Sequence, residues 1–271
     1  MRQRWSGWLR WVVLFSLWIV GAWTANASGK KGVGLADLKA GERLAALHVA
    51  WYYTWKPYPI EGVSKEEFVP MIWGGRQLDK QMAALRARGK VPVLLAINEP
   101  NKPDQANMSV AETVRRWPEI EALADRISSP APAGVLGRWF QKFHRLAQDR
   151  GLRFDFLAVH LYGPPDPRKF LTKIDAIHEK YDMPIWITEF AVADWRAKRK
   201  GSNRYSEAKV LEFMQQVLPE LEKRPYIERY AWFGAGQRSL TREPVYTSRL
   251  FEKDGALTAL GRFYAHFQAE R

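Results

Sequence analysis

Short apolar runs alternate with amphipathic segments along most of this chain of 271 residues. Two of the runs, Val91 to Glu99 and Pro184 to Phe190, are nearly continuous stretches of apolar and β-branched residues. Such runs are typical of strands that are buried on both faces of a parallel sheet. Both runs contain a glutamate where they end, Glu99 and Glu189, and Pro100 stops the first because proline cannot donate to a strand ladder.

The same pattern predicts eight strands with helices between most of them. The predicted strands are Gly32 to Asp37, Leu44 to Trp55, Glu67 to Gly74, Val91 to Glu99, Arg126 to Pro130, Asp155 to Gly163, Pro184 to Phe190 and Tyr226 to Gly234. The predicted helices are Leu78 to Arg88, one that begins after Ser109, Leu136 to Arg150, Lys169 to Tyr181, Ser206 to Leu221 and Leu257 to Gln268.

This alternation, without internal repeats, predicts an α/β fold that is a single parallel (β/α)8 TIM barrel. The length suits the prediction, because such barrels commonly have about 250 residues. The alternative is a doubly wound open sheet. That fold usually has a glycine-rich phosphate turn, and the sequence Gly32-Val33-Gly34 lacks the third glycine.

Residues 1–27 have the pattern of a secretory signal peptide, which leaves 28–271 as the domain that forms the predicted barrel. Three arginines precede an apolar stretch from Trp11 to Trp23, and Ala25-Asn26-Ala27 fits a cleavage site. The apolar stretch is shorter than the roughly 20 residues that span a bilayer. We therefore expect a secreted or periplasmic protein without an integral membrane segment after cleavage, and we expect it to be a monomer.

The chain is strongly basic and contains no cysteine, so its core must hold the fold without disulfides. Its net charge is +13, and removal of the three signal arginines leaves +10. We predict no nucleic-acid partner, because zinc-ligand cysteines and a basic recognition helix are both missing from the sequence. Much of the excess lies in the basic segment Arg196 to Arg204, which is either a solvated loop or a site of attraction to an anionic surface.

Glu99 and Glu189 are the candidate catalytic residues. Carboxyl ends of parallel strands meet at one edge of a barrel, where active sites lie. Two facing carboxyl groups are what the cleavage of a glycosidic bond needs, one to protonate the leaving oxygen and one to attack or to activate water. A single glutamate at a strand end is as often a structural residue, but two on one barrel favour a paired site.

Other polar and aromatic residues at predicted strand ends fit binding of a sugar, whose apolar faces stack on aromatic rings. A single aromatic residue is nevertheless more often part of the core than of a site. The candidate substrate-binding residues are Asn98, His160, Tyr162, Trp232, Trp51, Tyr53 and Trp73. The sequence has no HExxH, GxSxG or P-loop lysine motif, and we predict no metal and no cofactor.

From Lys31 to Tyr264 the chain resembles glycoside hydrolase family 128, a family of retaining barrels with paired glutamates on strands four and seven. The motifs that carry the resemblance are KKGVG, WYYTW, FVPMIWG, NEPN with QANMS, SPA, AVHLYG, PIWITEF, RYAWF and DGALTALG. The basic segment after strand seven departs from the family pattern.

The resemblance implies an endo-acting β-1,3-glucanase. By position, Glu99 is expected to be the general acid/base and Glu189 the nucleophile. Asn98 is expected to bind the 2-hydroxyl group, while His160, Tyr162 and Trp232 line the cleaved subsite. Two alternatives remain at this stage: a glucan transglycosylase that uses the same site, and a non-catalytic β-glucan-binding protein.

Overall fold

The structure is a computed structural model that describes residues 28–36, 39–63, 66–236 and 241–268. The predicted signal peptide therefore lies outside the described residues. The α-helices of the described residues are α1 (Ala40–Leu47), α2 (Leu78–Arg88), α3 (Val110–Glu121), α4 (Arg138–Asp149), α5 (Pro167–Tyr181), α6 (Glu207–Lys223) and α7 (Ala259–His266). None of the helices described is long and apolar enough to cross a membrane.

Nine strands are present in the described part of the chain, and every pairing between them is parallel. They are β1 (Lys31–Gly34), β2 (Trp51–Tyr53), β3 (Glu67–Phe68), β4 (Met71–Ile72), β5 (Val91–Ala96), β6 (Ala124–Ile127), β7 (Leu157–Gly163), β8 (Ile185–Val192) and β9 (Ile227–Trp232). One sheet has the order β3-β2-β1-β9-β8-β7, and the other has the order β4-β5-β6.

Backbone hydrogen bonds connect the two sheets at both of their edges. Between β3 and β4, Val69 N–H donates to Tyr52 O at 2.9 Å and Leu95 N–H donates to Pro70 O at 3.0 Å. Between β6 and β7, Ser129 N–H donates to Phe156 O at 2.8 Å. Because β1 also pairs with β9, strand neighbours follow one another around a ring. The predicted α/β barrel architecture is confirmed, with regular pairing interrupted at these two places.

Two of the predicted strands differ from the structure. The prediction that Leu44 to Trp55 is one strand was wrong in its first half, which belongs to α1; His48 then ends the helix in a left-handed conformation, with φ of 48°. The predicted strand Glu67 to Gly74 is divided into β3 and β4 at Val69 and Pro70, where proline has no N–H group for a ladder.

The barrel interior is packed with large aromatic side chains. A buried cluster contains Trp51, Tyr53, Phe156 and Trp186 together with smaller apolar residues. The rings of Phe156 and Trp186 stack with centroids 4.3 Å apart, and Trp51 meets Trp186 at 5.3 Å. A larger cluster fills the space between the strands and the helices. The interior is thus a solid core, and a substrate can bind only at one of its ends.

Lys31 joins the first strand to the last helix. Its buried Nζ donates to three backbone carbonyls at the end of α7, those of Tyr264 (2.7 Å), Ala265 (3.1 Å) and Phe267 (3.0 Å). The last carbonyls of a helix have no partners within the helix, so an ammonium group is a favourable partner for them.

Replacement of this ammonium group tests the connection. We expect Lys31→Met to lower the free energy of unfolding by about 1–3 kcal/mol, because buried carbonyls lose their donor. Chemical denaturation measures the change, with the exposed Lys142→Met as the matched control. Equal stability of the two variants would contradict this role of Lys31.

Candidate active site

A cleft of about 790 Å³ lies at the carboxyl ends of the strands. Six of the sequence-predicted site residues line it, namely Trp73, Asn98, Glu99, His160, Tyr162 and Glu189. These residues come from the ends of β4, β5, β7 and β8. The parallel barrel thus brings chemistry from distant parts of the chain to one place.

A strained turn after β5 positions Glu99. Ile97 has φ of 57° and Glu99 has φ of 41°, and both values lie in the left-handed region. This conformation is a genuine outlier for a β-branched residue such as Ile97, and its cost must be met by surrounding contacts. Ile97 N–H donates to Ile72 O at 2.7 Å, and Glu99 N–H donates to Ala131 O at 2.8 Å. Neighbouring strand segments therefore hold the turn on both sides.

Glu189 is held on β8 by two side-chain donors. Trp55 Nε1 donates to its Oε1 at 2.7 Å, and the Tyr162 hydroxyl donates to its Oε2 at 2.5 Å. Strand pairing on β8 shifts register between Ile187 and Phe190, so the backbone is irregular around Glu189. Charge-assisted hydrogen bonds to both oxygens fix the direction of the carboxylate.

The absence of a side chain at Gly34 allows Trp55 to come close to Glu189. A Cβ atom at Gly34 would lie 2.7 Å from the Trp55 ring and 2.8 Å from the Tyr53 ring, which is closer than real Cβ atoms approach other atoms. Trp55 itself has φ of 57°. The glycine at the end of β1 therefore leaves the space in which the indole ring reaches Glu189.

His160 contacts both glutamates. Its Nδ1 lies 3.2 Å from Glu99 Oε1 and 3.6 Å from Glu189 Oε2. These two oxygens cannot be further apart than the sum of the two distances, which is under about 7 Å. Retaining glycosidases have carboxyl groups about 5–5.5 Å apart and inverting ones about 6.5–9.5 Å apart. The two oxygens nearest His160 are therefore close enough for the retaining arrangement.

Burial and the two carboxylates act in opposite directions on His160. Burial disfavours the charged ring, but attraction to Glu189 and the hydrogen bond to Glu99 outweigh it and raise the pKa of His160 above its usual value. Burial, together with the charge of Glu189, raises the pKa of Tyr162 well above its ordinary value. Tyr162 therefore keeps its hydroxyl proton and remains a donor to Glu189.

Asn98 has one satisfied and one unsatisfied group. Its Nδ2 donates to Gln105 Oε1 at 3.2 Å, whereas its buried Oδ1 has no hydrogen-bond partner among the described residues. A buried acceptor without a donor is costly, and a ligand hydroxyl could satisfy it. Clusters of three or more His, Cys, Asp or Glu side chains able to hold a metal ion do not occur in the described ranges.

Comparison with known proteins places the chain in a family. Residues 32–264 match the family model described as the glycosyl hydrolase catalytic core. The structure is similar to a family 128 (subgroup I) endo-β-1,3-glucanase from Amycolatopsis mediterranei in complex with laminaritriose, with 33% sequence identity, coverage of 88% of this chain and 98% of that chain, and a TM-score of 0.73. The chain belongs to glycoside hydrolase family 128.

Other members of family 128 differ in how they act. A subgroup II endo-β-1,3-glucanase from Sorangium cellulosum has 27% identity and a TM-score of 0.72, with coverage of 89% of this chain and 100% of that one. A subgroup III curdlan-specific exo-β-1,3-glucanase from Blastomyces gilchristii has 28% identity and a TM-score of 0.67, with the same coverage.

A curated relative is longer than this chain. The match to alkali-sensitive linkage protein 1 of Schizosaccharomyces pombe has 27% identity over 252 residues, which is 89% of this chain but only 45% of the relative. The chain thus spans about half the length of that relative. The resemblance seen in the sequence motifs is confirmed, and the protein is a glycoside hydrolase.

Three of the predicted sugar-binding aromatic residues do not line the cleft of this family 128 enzyme. Trp51, Tyr53 and Trp232 are fully buried, and each has a backbone carbonyl as its partner: Lys30, Thr188 and Ser248, respectively. Trp51 and Tyr53 belong to the barrel interior, because the strand that carries them is shorter than predicted. The apolar pattern of a strand does not show whether an aromatic side chain lies in the barrel interior or reaches the cleft.

Three aromatic residues that line the cleft, Trp55, Trp195 and Phe233, were not among the predicted site residues. Trp55 contacts Glu189, and Trp195 is half exposed, with its ring centroid 5.7 Å from that of Tyr162. Trp55 closes the WYYTW motif, so its place at a strand exit was a usable signal. Trp195 follows β8 in a loop, where no periodicity distinguishes a site residue from any other.

We predict that His160 and His144 affect the pH dependence of protein stability in opposite directions. The raised pKa of His160 means that its contribution is present below about pH 6.5 and is lost as the pH rises through its folded-state value. Burial and the charge of Lys180 lower the pKa of His144, so its neutral form is favoured in the fold and stability falls as the pH drops below about 6.5.

Variants at these positions measure the effect. We expect the stability advantage of the wild type over His160→Asn to increase between about pH 9 and about pH 5.5, whereas that over His144→Asn decreases. Denaturant unfolding at several pH values measures both. The same pH trend for the two variants would contradict the electrostatic role of His160.

Proposed function

We propose that this protein is a retaining endo-β-1,3-glucanase in which Glu99 is the general acid/base and Glu189 is the nucleophile. The observation that carries the proposal is the contact of His160 Nδ1 with both carboxyl groups, because it restricts their separation to a range that fits double displacement. The β-1,3-glucanase activity of the similar structures supports the choice of linkage.

In the first step, the protonated carboxyl group of Glu99 donates its proton to the leaving glycosidic oxygen. Glu189 attacks the anomeric carbon from the opposite face, so that a covalent glycosyl-enzyme forms while the bond to the leaving sugar breaks. Only one oxygen of Glu189 forms the new bond. The donors Trp55 and Tyr162 hold the carboxylate in place for this attack.

In the second step, Glu99 is ionised and accepts a proton from water as the water attacks the anomeric carbon. The bond to Glu189 breaks, Glu189 becomes a carboxylate again, and the sugar leaves with its original configuration. His160, with its raised pKa, is a positioning residue that compensates negative charge between the two carboxyl groups.

The cleft offers both polar and aromatic contacts to a glucan. The unpartnered Oδ1 of Asn98 can accept a hydrogen bond from the 2-hydroxyl group of the sugar next to Glu99. Trp73 and the half-exposed Trp195 line the same cleft and offer faces for sugar stacking. We also propose that the protein is exported, on the basis of the signal pattern in residues 1–27.

The roles of the two glutamates predict different rescue products. With an aryl β-1,3-glucan oligosaccharide, Glu99→Ala should still form the glycosyl-enzyme, because an aryl leaving group needs little protonation, and added azide should then give the β-glycosyl azide. Glu189→Ala should lack the intermediate, and azide should attack directly to give the α-glycosyl azide.

Product configuration can be read by NMR. Without azide, hydrolysis of laminarihexaose should fall by about 10²–10⁴-fold in Glu99→Ala and by at least as much in Glu189→Ala. The exposed Glu179→Gln is the control and should keep wild-type rates. An α-azide from Glu99→Ala would assign the two roles in reverse, and full hydrolysis in both variants would favour a site elsewhere.

Trp195 should affect binding more than chemistry. Trp195→Ala should raise KM for laminarihexaose by about two- to tenfold with little change in kcat, because an aromatic contact of this kind is worth about 0.5–1.5 kcal/mol. Trp195→Phe should restore part of the affinity. A loss confined to kcat would contradict a stacking role.

The product mixture separates this function from its relatives. An endo enzyme should release a mixture of oligosaccharides from long β-1,3-glucan at early times, whereas an exo enzyme releases one small product. Products longer than a supplied oligosaccharide would favour a transglycosylase. Binding of glucan with no bond cleavage would favour a glucan-binding protein.

A further inference from the structure

The cleft that holds the two glutamates is lined by four cationic side chains. Lys56 follows β2, Lys102 follows β5, Lys173 lies on α5, and Arg242 precedes the short helix Glu243–Ser248. Apart from Glu99 and Glu189, the lining contains a single acidic residue, Asp104. Because the four cations come from four separate parts of the chain, their position around one cleft does not follow from a single basic run.

All four of these side chains are exposed and have no ion pair or hydrogen bond within the described ranges. Many other cations of the protein are neutralised. Arg204, for example, donates from Nε and Nη2 to the buried Asp194 at 2.9 and 2.7 Å. The positive charge of the cleft is therefore available to a ligand, and a concave surface strengthens the field of the charges that line it.

The basic segment Arg196 to Arg204 extends this charge beyond the cleft. Asp194, two residues after β8, accepts the Arg204 hydrogen bonds and one from Arg196 N–H at 3.2 Å. The two ends of the segment are thus fastened beside Trp195, which lines the cleft. The hydrogen bonds from Arg204 hold the pKa of Asp194 well below its usual range, so the connection persists at any moderate pH.

A second depression, of about 450 Å³, lies along this segment and contains Lys198, Lys200 and Lys253. Residues 241–246 form part of both walls, since Arg242 and Val245 line the cleft while Thr241, Glu243, Pro244 and Tyr246 line the depression. None of the three lysines has an ion pair among the described residues. The one acidic residue that lines the depression, Glu243, accepts a hydrogen bond from Gly201 N–H at 3.0 Å.

We propose that the substrate of this site is a β-glucan that carries anionic substituents, such as carboxylate or phosphate groups, which the unpaired cations bind. This inference rests on the proposed function and names its substrate class more closely. A neutral glucan can accept hydrogen bonds from these cations, but it gains no charge attraction that would favour it over water. An anionic substituent gains attraction from several cations at once, and this attraction is screened by salt.

A pair of substituted glucans isolates the effect of charge. Carboxymethyl-curdlan and hydroxyethyl-curdlan of equal chain length and degree of substitution differ in charge but little in the size of the substituent. Binding to the inactive Glu189→Gln variant, measured by calorimetry, does not depend on hydrolysis. We expect Kd to be at least about fivefold lower for the carboxymethyl polymer than for the hydroxyethyl polymer at about 20 mM salt. We expect this preference to disappear at about 0.5 M salt.

Two sets of variants of equal net charge locate the effect. In the Glu189→Gln background, Lys56→Gln, Lys102→Gln, Lys173→Gln and Arg242→Gln together should remove most of the preference. The control set consists of four exposed cations away from the cleft, Lys80→Gln, Lys142→Gln, Arg145→Gln and Lys209→Gln. It should keep the preference, because only the cations of the cleft meet the substituents.

The possible results separate the two proposals. Equal Kd values for the two polymers, or equal losses in the two sets, would overturn the inference even if the wild type hydrolyses laminarihexaose. A charge preference confined to the cleft set would support it. If the wild type also fails to hydrolyse both laminarihexaose and the carboxymethyl polymer, the proposed hydrolysis falls and the inference survives as a statement about binding.

Discussion

The contact of one buried imidazole with two carboxyl groups is the constraint on which the active site depends. In the proposed mechanism one of the two carboxyl groups is ionised in the free enzyme, and a buried carboxylate is costly unless hydrogen-bond donors or a cation compensate its charge. His160, with its raised pKa, lies between them, and its Nδ1 is within 3.6 Å of both. The donors Trp55 and Tyr162 stabilise Glu189 further. These contacts hold the two carboxyl groups close together.

The barrel makes this contact possible by bringing three distant strand ends together. Glu99 follows β5, His160 lies on β7 and Glu189 lies on β8, and the last two are directly opposite each other in the strand pairing. The left-handed turn at Ile97 and Glu99 is tolerated because backbone hydrogen bonds from both neighbouring segments hold it. Lys31 connects the first strand to the last helix on the same barrel. The hydrogen bonds and packing of the barrel therefore compensate for the backbone strain at Ile97 and Glu99.

The sequence predicted the order of the elements and the positions of both glutamates, because a buried strand has a strong apolar pattern and ends abruptly in polar residues. It predicted less well the bounds of the strands and the side chains that line the cleft. The division of the third strand at Pro70 and the helix over Leu44 depend on local backbone geometry. Whether Trp51 or Trp55 reaches the cleft depends on where β2 ends and on the space left by Gly34, and hydrophobicity encodes neither. The four cations of the cleft come from three loops and from α5, so only the folded chain brings them together.

The most direct test of the paired-carboxylate account is the anomeric configuration of the first product. Hydrolysis of laminarihexaose by the wild-type protein, followed by proton NMR from the first minutes, should show the β-anomer at the new reducing end before mutarotation adds the α-anomer. That result is required by two successive inversions at the anomeric carbon. The α-anomer as the first product would mean a single displacement by water and would contradict the assignment of Glu189 as a nucleophile.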